Sequence, residues 1–105
     1  MSRNVIYTEQ AELDLRNIFE YIAYCLLAPD AAKNQSKRIM DAIATLDEMP
    51  FRHQRYEKEP WHSKGMRFIP VDNYLIFFFI LESEYTVAVV RIMYGGRDIE
   101  YKLSI

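Results

Sequence analysis

The chain has 105 residues, which suits one domain and is too short for two independent hydrophobic cores. Half of the residues are hydrophobic, which excludes a disordered chain, and no apolar run reaches the roughly 18 residues of a transmembrane helix. The formal net charge of -2 argues against nucleic-acid binding through bulk charge alone. The single cysteine, Cys25, excludes an internal disulfide, and we expect it to be a buried or half-buried structural thiol in a cytoplasmic protein.

Two amphipathic helices are predicted in the first half of the chain. After a short β-branched segment at 3–7, Thr8 provides a helix N-cap. Apolar residues then recur at helical spacing along one stripe: Ala11, Leu15, Ile18, Ile22 and Leu26. Pro29 favours the first turn of a second helix, and Pro50 is predicted to end it. The short link between the helices predicts an antiparallel helical hairpin.

Three strands are predicted in the second half of the chain, at 66–71, 74–81 and 85–93. The middle strand is continuously apolar, which is typical of a central strand buried on both faces. Pro70 cannot donate a ladder hydrogen bond, so its strand should lie at an edge or carry a bulge. The segment 97–103 is predicted to form either a short helix or a further strand. The order β-α-α-β-β-β predicts a single α+β domain over residues 1–105, with the hairpin on one face of a small, mostly antiparallel sheet and the other face open for a site.

Positive charge is concentrated between residues 51 and 67. This segment contains five basic side chains, two acidic ones and both histidines, His53 and His62, whereas the segments before and after it are acidic. The pattern predicts contact with an anionic group, and a solvated loop is the alternative interpretation. Nothing in a loop fixes the geometry of the two histidines, so we expect neither a metal nor a cofactor.

Arginines and tyrosines gather on and after the last strand. Because side chains alternate with period two, Arg91 is predicted to share its face with three apolar residues, Val87, Val89 and Met93. Such an arginine must pair with a carboxylate, lie at the sheet margin or face a ligand. Guanidinium and phenol groups together are able to cleave RNA without a metal, with the ribose 2′-OH attacking the phosphorus. A structural ion pair of Arg91 with Asp98 or Glu100 is the alternative.

Three segments carry the most specific pattern in the chain. They are Gly-Met-Arg-Phe-Ile-Pro-Val at 65–71, Asp-Asn-Tyr-Leu-Ile-Phe-Phe at 72–78 and Val-Arg-Ile-Met-Tyr-Gly-Gly-Arg-Asp at 90–98. Together with the helical hairpin, they resemble the RelE/ParE superfamily of toxin proteins. The resemblance implies that the chain is the toxin of a bacterial type II toxin–antitoxin pair and that a cognate antitoxin silences it. It also implies that the toxin contacts operator DNA only through this antitoxin. It also implies one of two targets, because ParE-like members inhibit DNA gyrase and RelE-like members cut mRNA on the ribosome.

Residue by residue, the resemblance favours the ParE-like branch. Leu75 stands where the nuclease branch has a catalytic arginine, and Met93 stands where one nuclease subgroup has a histidine. Loss of a positioned general acid or base costs about 10²–10⁴ in rate. For the alternative, a metal-independent nuclease, the candidate catalytic residues are Arg67, Arg91, Tyr94, Arg97 and Tyr101. The residues expected to bind the target or its phosphates are His62, Lys64, Arg67 and Arg97.

The antitoxin contact is predicted from helix geometry. Leu13 and Tyr24 fall off the main apolar stripe of the first helix, on the side facing away from Ala11 and Leu15. Neighbouring exposed apolar residues are candidates for a protein interface, and scattered surface hydrophobic residues are the alternative interpretation.

Overall fold

A computed structural model describes residues 2–96 and 99–103. In these residues the elements follow the predicted order: β1 (Asn4–Tyr7), α1 (Glu9–Glu20), α2 (Pro29–Ala44), β2 (Arg67–Val71), β3 (Tyr74–Leu81), β4 (Thr86–Tyr94) and α3 (Ile99–Leu103). The α+β class is therefore confirmed. Of the two predictions for the segment after residue 96, the described part of it adopts the helix.

The four strands form one mixed sheet in the order β1-β4-β3-β2. β1 pairs with β4 in parallel, and the other two pairings are antiparallel. β3 lies inside the sheet, as its continuous apolar sequence predicted. β2 lies at an edge, which explains why its exposed Pro70 is tolerated there. Asp72 adopts a left-handed conformation in the β2–β3 turn, and its carboxylate accepts hydrogen bonds from Gln35 and Arg38 of α2.

The two long helices cover one face of the sheet. They enclose a first core cluster with β3 and β4, which contains Ala11, Ile39, Ile43, Leu46, Ile69, Ile76, Phe78, Val87, Val89 and Ile92. Thr8 caps α1 by accepting the backbone N–H of Ala11 at 3.2 Å, as predicted. None of the helices in the described part of the chain has the length and hydrophobicity of a transmembrane segment.

A π-helical turn changes the apolar stripe at the end of α1. Tyr21–Cys25 forms this turn, in which the N–H of Leu26 bonds to the carbonyl of Tyr21 at 3.0 Å. A π turn takes up one residue more than an α turn, so the buried position moves to Ala23 and Leu26 becomes exposed. The predicted burial of Leu26 is therefore wrong, and so is that of Cys25, whose thiol is exposed.

Two neighbouring leucines in the hairpin link should respond oppositely to glycine. Leu27 has φ 55°, is 82% exposed and is strained in this left-handed conformation, whereas Leu26 has φ -94°. We expect Leu27→Gly to raise the free energy of unfolding by about 0.5–1 kcal/mol and Leu26→Gly to lower it by a similar amount. Urea unfolding of the two variants measures both effects. A loss of stability in Leu27→Gly would contradict the strain.

The second helix ends earlier than the sequence predicted. α2 stops at Ala44 and continues as a 3₁₀ turn, Thr45–Asp47. The prediction that Pro50 ends this helix is wrong. Pro50 is the first residue of a separate 3₁₀ turn, Pro50–Arg52, and the residue before this turn, Met49, has a left-handed conformation. This turn places an aromatic side chain at the start of β1, described below.

The face of the sheet opposite the helices is covered rather than open. A second core cluster lies there, made of Met66, Phe77, Met93 and Ile99, with Tyr56, Trp61, Phe68, Leu75, Phe79, Val90 and Leu103 packed against it. The segment 54–66 and α3 supply the cover. The prediction of a free second face is therefore wrong over this area, because the loop carries its own aromatic side chains to the sheet.

A bulge in β4 decides on which face Arg91 leaves the sheet. Val90 is an extra residue there, because Val89 and Arg91 pair with consecutive residues of β3. Val87 and Val89 belong to the first core cluster, whereas Met93 belongs to the second. The prediction that Arg91 and Met93 share a face with these two valines is wrong, since one extra residue reverses the alternation.

Candidate functional site

Side chains of α1 and of its N-cap residue form hydrogen bonds with the backbone of β4, along the edge that β1 leaves unpaired. The Thr8 hydroxyl donates to a carbonyl of β4, that of Val90, at 3.3 Å. Farther along β4, the Asp14 carboxylate accepts the backbone N–H of Ile92 at 2.9 Å. The same carboxylate accepts two hydrogen bonds from Arg91, from Nε at 2.8 Å and from Nη2 at 3.2 Å. Asp14 is buried, and these three hydrogen bonds compensate for the loss of water around its charge.

Arg91 therefore occupies a structural position. Its third nitrogen, Nη1, donates to the carbonyl of Lys102 at 3.0 Å, so one guanidinium joins α1, β4 and α3. Of its three predicted environments, the carboxylate pair is the one observed. The carboxylate is that of Asp14 in the first helix, which the sequence did not indicate; Asp98 lies outside the described residues.

Arg67 lies away from Arg91. Arg67 pairs with Phe78, which belongs to the first core cluster, whereas Arg91 pairs with Phe77, which belongs to the second. Directly paired residues share a face, so the two arginines leave the sheet on opposite faces. Nη1 of Arg67 donates to the carbonyl of His53 at 2.7 Å. The predicted pair of catalytic arginines is thus not brought together.

Tyr94 lines a cavity made of tyrosines. Its ring stands edge-on to that of Tyr74, with centroids 6.0 Å apart. The open space is about 480 Å³ and is lined by Asn17, Ile18, Tyr21, Tyr74 and Tyr94, which are uncharged at neutral pH. Burial, with the neighbouring Tyr94 and Tyr21, raises the pKa of Tyr74 above its ordinary value of 10.0. This environment disfavours ionised phenols.

Two further residues were predicted to be catalytic, Tyr101 and Arg97. Tyr101 lies on α3 and is largely exposed. Arg97, named both for catalysis and for phosphate binding, lies outside the described residues. Their roles remain predictions.

His62 and Lys64 lie in the turn between residues 58 and 65. This turn packs its Trp61 against the second core cluster, on the face opposite Phe78 and its partner Arg67. The carboxylate that approaches His62 is Glu59, with Oε2 at 3.9 Å from Nδ1. The structure therefore separates these two residues from Arg67, with which they were predicted to bind phosphate.

Metal binding finds no support in the positions of the histidines. Within residues 2–96 and 99–103, no group of three His, Cys, Asp or Glu side chains is arranged to hold a metal ion. His53 instead packs edge-on against Phe78, with ring centroids 5.9 Å apart. Its Nε2 is buried and finds no hydrogen-bond partner among the described residues.

The burial of His53 predicts a pH dependence of stability. Desolvation and the nearby Arg52 and Arg67 lower the pKa of His53 below its ordinary 6.5. The unfolded chain therefore binds a proton at His53 more readily than the folded chain does. This contribution to the free energy of unfolding is present above the ordinary pKa and is lost as the pH falls toward the lowered pKa. Between about pH 7.5 and about pH 5.5, we expect urea unfolding to show a steeper loss for the wild type than for His53→Gln. His62→Gln is the control and should keep the wild-type slope; an unchanged slope in His53→Gln would contradict the assignment.

The two residues predicted to contact the antitoxin are both on the surface. Leu13 is 43% exposed on α1, and Tyr24 is 68% exposed in the π turn. Their separation of eleven positions corresponds to roughly 16 Å along a helix. Three apolar residues that the sequence analysis missed, Tyr21, Leu26 and Leu27, extend this exposed surface at the tip of the hairpin. The π turn exposes Leu26, and a helical repeat alone does not reveal it.

A second group that the sequence did not indicate lies at the other end of the sheet. We call it the arginine–phenylalanine cluster; it consists of Arg3, Phe51, Arg52 and Arg67. The Phe51 ring has the Arg3 guanidinium at 5.6 Å and the Arg67 guanidinium at 5.3 Å. Arg3 also lies over the ring of Tyr85 at 4.8 Å. These residues are far apart in the chain, so no local pattern could join them.

Comparison with known protein families gives a match over most of the chain. The family model described as the ParE toxin of the type II toxin–antitoxin system parDE matches residues 5–99. No curated protein matches the chain significantly.

Solved structures share the fold at low sequence identity. The chromosomal ParDE system from P. aeruginosa matches with a TM-score of 0.74 and 17% identity, covering 90% of this chain and 98% of that one. A mutant of E. coli toxin RelE in the free state matches with a TM-score of 0.67 and 12% identity, covering 97% and 93%. The RelBE2 toxin–antitoxin complex from Mycobacterium tuberculosis matches with a TM-score of 0.63 and 17% identity, covering 91% and 95%.

Proposed function

This chain belongs to the ParE toxin family of type II toxin–antitoxin systems, and we propose that it arrests growth by binding DNA gyrase rather than by cutting RNA. The toxin acts here as a binding protein. Its surface and its partners, and not a reaction centre, then determine its activity.

The engagement of Arg91 is the observation that carries this proposal. Metal-independent RNA cleavage needs guanidinium groups free to stabilise the crowded phosphate. Arg91 instead holds Asp14 with two hydrogen bonds and a backbone carbonyl with a third. Turning it toward a substrate would leave the buried Asp14 carboxylate without its cation, which is costly.

The surroundings of Tyr94 support the same proposal. Among the residues that the structure describes, the five that line its cavity include no carboxylate, imidazole or cation. Leu75 and Met93, which pair across β3 and β4, are both apolar where a nuclease would use charged or imidazole groups. Efficient general acid–base catalysis depends on neighbouring groups that tune the proton donor, and the described residues around this cavity supply no charged one.

A supercoiling assay with purified toxin and gyrase tests the proposal. We expect saturating toxin to inhibit supercoiling or to trap gyrase–DNA complexes, while induction in cells arrests growth without cutting translated mRNA. The control is the same toxin incubated with the cognate antitoxin. Normal supercoiling, together with primer-extension cuts that disappear in Arg97→Ala, would instead establish the RelE-like nuclease.

We also propose a cognate antitoxin as the partner that silences this toxin. Of the solved structures that share the fold, one is of a ParDE toxin–antitoxin system and another is of the RelBE2 toxin–antitoxin complex. The exposed apolar side of the helical hairpin, with Leu13 and Tyr24, offers a surface for it. Operator DNA then contacts the antitoxin and not this acidic chain.

Leu13→Asp tests the antitoxin surface. Leu13 is partly exposed, so the charge should lower the melting temperature only slightly while weakening antitoxin binding by about tenfold or more. Titration calorimetry and thermal unfolding measure the two effects. Asn34→Asp, which adds the same charge to an exposed position of α2, is the control and should change neither strongly. Equal losses of binding and stability in Leu13→Asp would mean that Leu13 is part of the core.

A further inference from the structure

The arginines of the arginine–phenylalanine cluster are not paired with carboxylates of the described residues. Arg3, Arg52 and Arg67 form no ion pair with any carboxylate in the part of the chain that the structure describes. The Arg3 Nε is also buried and has no hydrogen-bond partner among those residues. Buried donors are nearly always satisfied, so this unsatisfied nitrogen distinguishes Arg3 from the other arginines of the described residues.

The backbone around this cluster is held in strained conformations. Met49 has φ 51° and Tyr85 has φ 50°, and neither is a glycine. Met49 directly precedes the turn that carries Phe51, and the Tyr85 ring stacks on Arg3. Left-handed conformations at bulky residues are unfavourable and persist where the surrounding structure holds them, often at functional sites. The strain fixes the aromatic rings against the arginines.

The cluster also borders a cavity that is both cationic and apolar. An open space of about 730 Å³ is lined by Arg3, Glu48, Met49, Phe51 and Arg52. Met49 is 69% exposed and Phe51 is 44% exposed, so the cavity presents two large apolar side chains beside its arginines. The matching occupant offers carboxylates next to an apolar side chain.

We infer that the arginine–phenylalanine cluster is a docking site for an acidic segment of a protein partner. A carboxylate binds between Arg3 and Arg52, and an apolar side chain of the same segment packs on Met49 and Phe51. This docking does not depend on whether gyrase or the ribosome is the target.

Charge favours a peptide over a nucleic acid at this site. A nucleic acid presents a continuous row of phosphates and needs a continuous basic surface. Here Glu48 lines the cavity itself, and Asp47 and Glu48 line the adjoining cavity with Arg52. These carboxylates repel an extended polyanion but leave room for a few well-placed acidic side chains.

Fluorescence anisotropy with defined probes tests the inference. The probe is a labelled peptide, Glu-Leu-Asp-Phe-Glu-Leu-Asp, and the competitor is a short single-stranded RNA of equal net charge. We expect the wild type to bind the peptide more tightly than the RNA, and Arg3→Gln and Arg52→Gln each to weaken peptide binding about tenfold, because hydrogen bonds to charged groups are stronger than neutral ones. Arg16→Gln, on the exposed side of α1, is the matched control and should bind as the wild type does.

Three results would overturn the inference. They are no peptide binding by the wild type, equal weakening in Arg16→Gln, and tighter binding of the RNA. If Arg3→Gln fails to fold by thermal unfolding, the exposed Arg52→Gln decides alone.

Discussion

Asp14→Ala is expected to lower the free energy of unfolding by about 3 kcal/mol. The substitution removes the acceptor of the Ile92 N–H and the counter-ion of Arg91 at once. The N–H of Ile92 then has no acceptor in the Asp14 carboxylate, and Arg91 keeps only its hydrogen bond to the Lys102 carbonyl. The effect falls at the lower end for a broken buried ion pair because the Arg91 side chain retains 21% exposure. Urea unfolding measures it.

A second carboxylate provides the control for Asp14. Asp41 forms an ion pair with Lys37 on the surface of α2, one helical turn away, and both side chains are mostly exposed. Asp41→Ala should change the free energy of unfolding by about 0.5 kcal/mol or less, as is usual for exposed pairs. If the two substitutions had equal effects, Asp14 would have no special place in the fold.

Phe77→Ala is expected to lower the free energy of unfolding by about 3–5 kcal/mol. Phe77 is fully buried in the second core cluster, with the Tyr56 ring centroid 5.5 Å from its own. Truncation leaves a cavity under the segment 54–66, at the point where the Tyr56 ring packs on the sheet. The measurement is urea unfolding followed by fluorescence of Trp61, which packs against the same cluster.

Tyr101→Ala is the matched aromatic control for Phe77. Tyr101 is 70% exposed on α3, so its loss should cost less than about 1 kcal/mol. A small effect of Phe77→Ala would show that the face opposite the helices contributes little to stability.

Helices and strands followed from the sequence because their signals are local. Helical spacing of apolar residues, the Thr8 cap and the continuous apolar run of β3 each depend on a few neighbouring residues. The element order, the central position of β3 and the edge position of Pro70 all came from such patterns. Chain order and turn lengths then left few ways to arrange the sheet.

The faces of side chains were less predictable. The π turn at Tyr21–Cys25 and the bulge at Val90 each add one residue to a regular repeat. One residue is enough to expose Leu26 and to move Arg91 to the other face. Neither the π turn nor the bulge contains a glycine or a proline that would indicate it in the sequence.

The candidate sites depend on contacts between distant parts of the chain. Arg91 meets a carboxylate 77 positions earlier, and Arg67 and Arg3 share the ring of Phe51. A sequence supplies the residue types for such contacts but not their partners. Composition therefore indicated arginine and tyrosine chemistry, whereas only coordinates show that Arg91 is already engaged.

The parallel pairing of β1 with β4 determines when a newly made chain is able to fold into its toxic form. Asn4 pairs with Thr86, and Thr8 contacts a residue 82 positions later in the chain. Contacts of such high contact order form late, because a long loop must close first. A nascent polypeptide lacks the partner of its first strand and the arginine that neutralises Asp14 until β4 has been translated. The folded form of this toxin is therefore available to the cell only after β4 has been made.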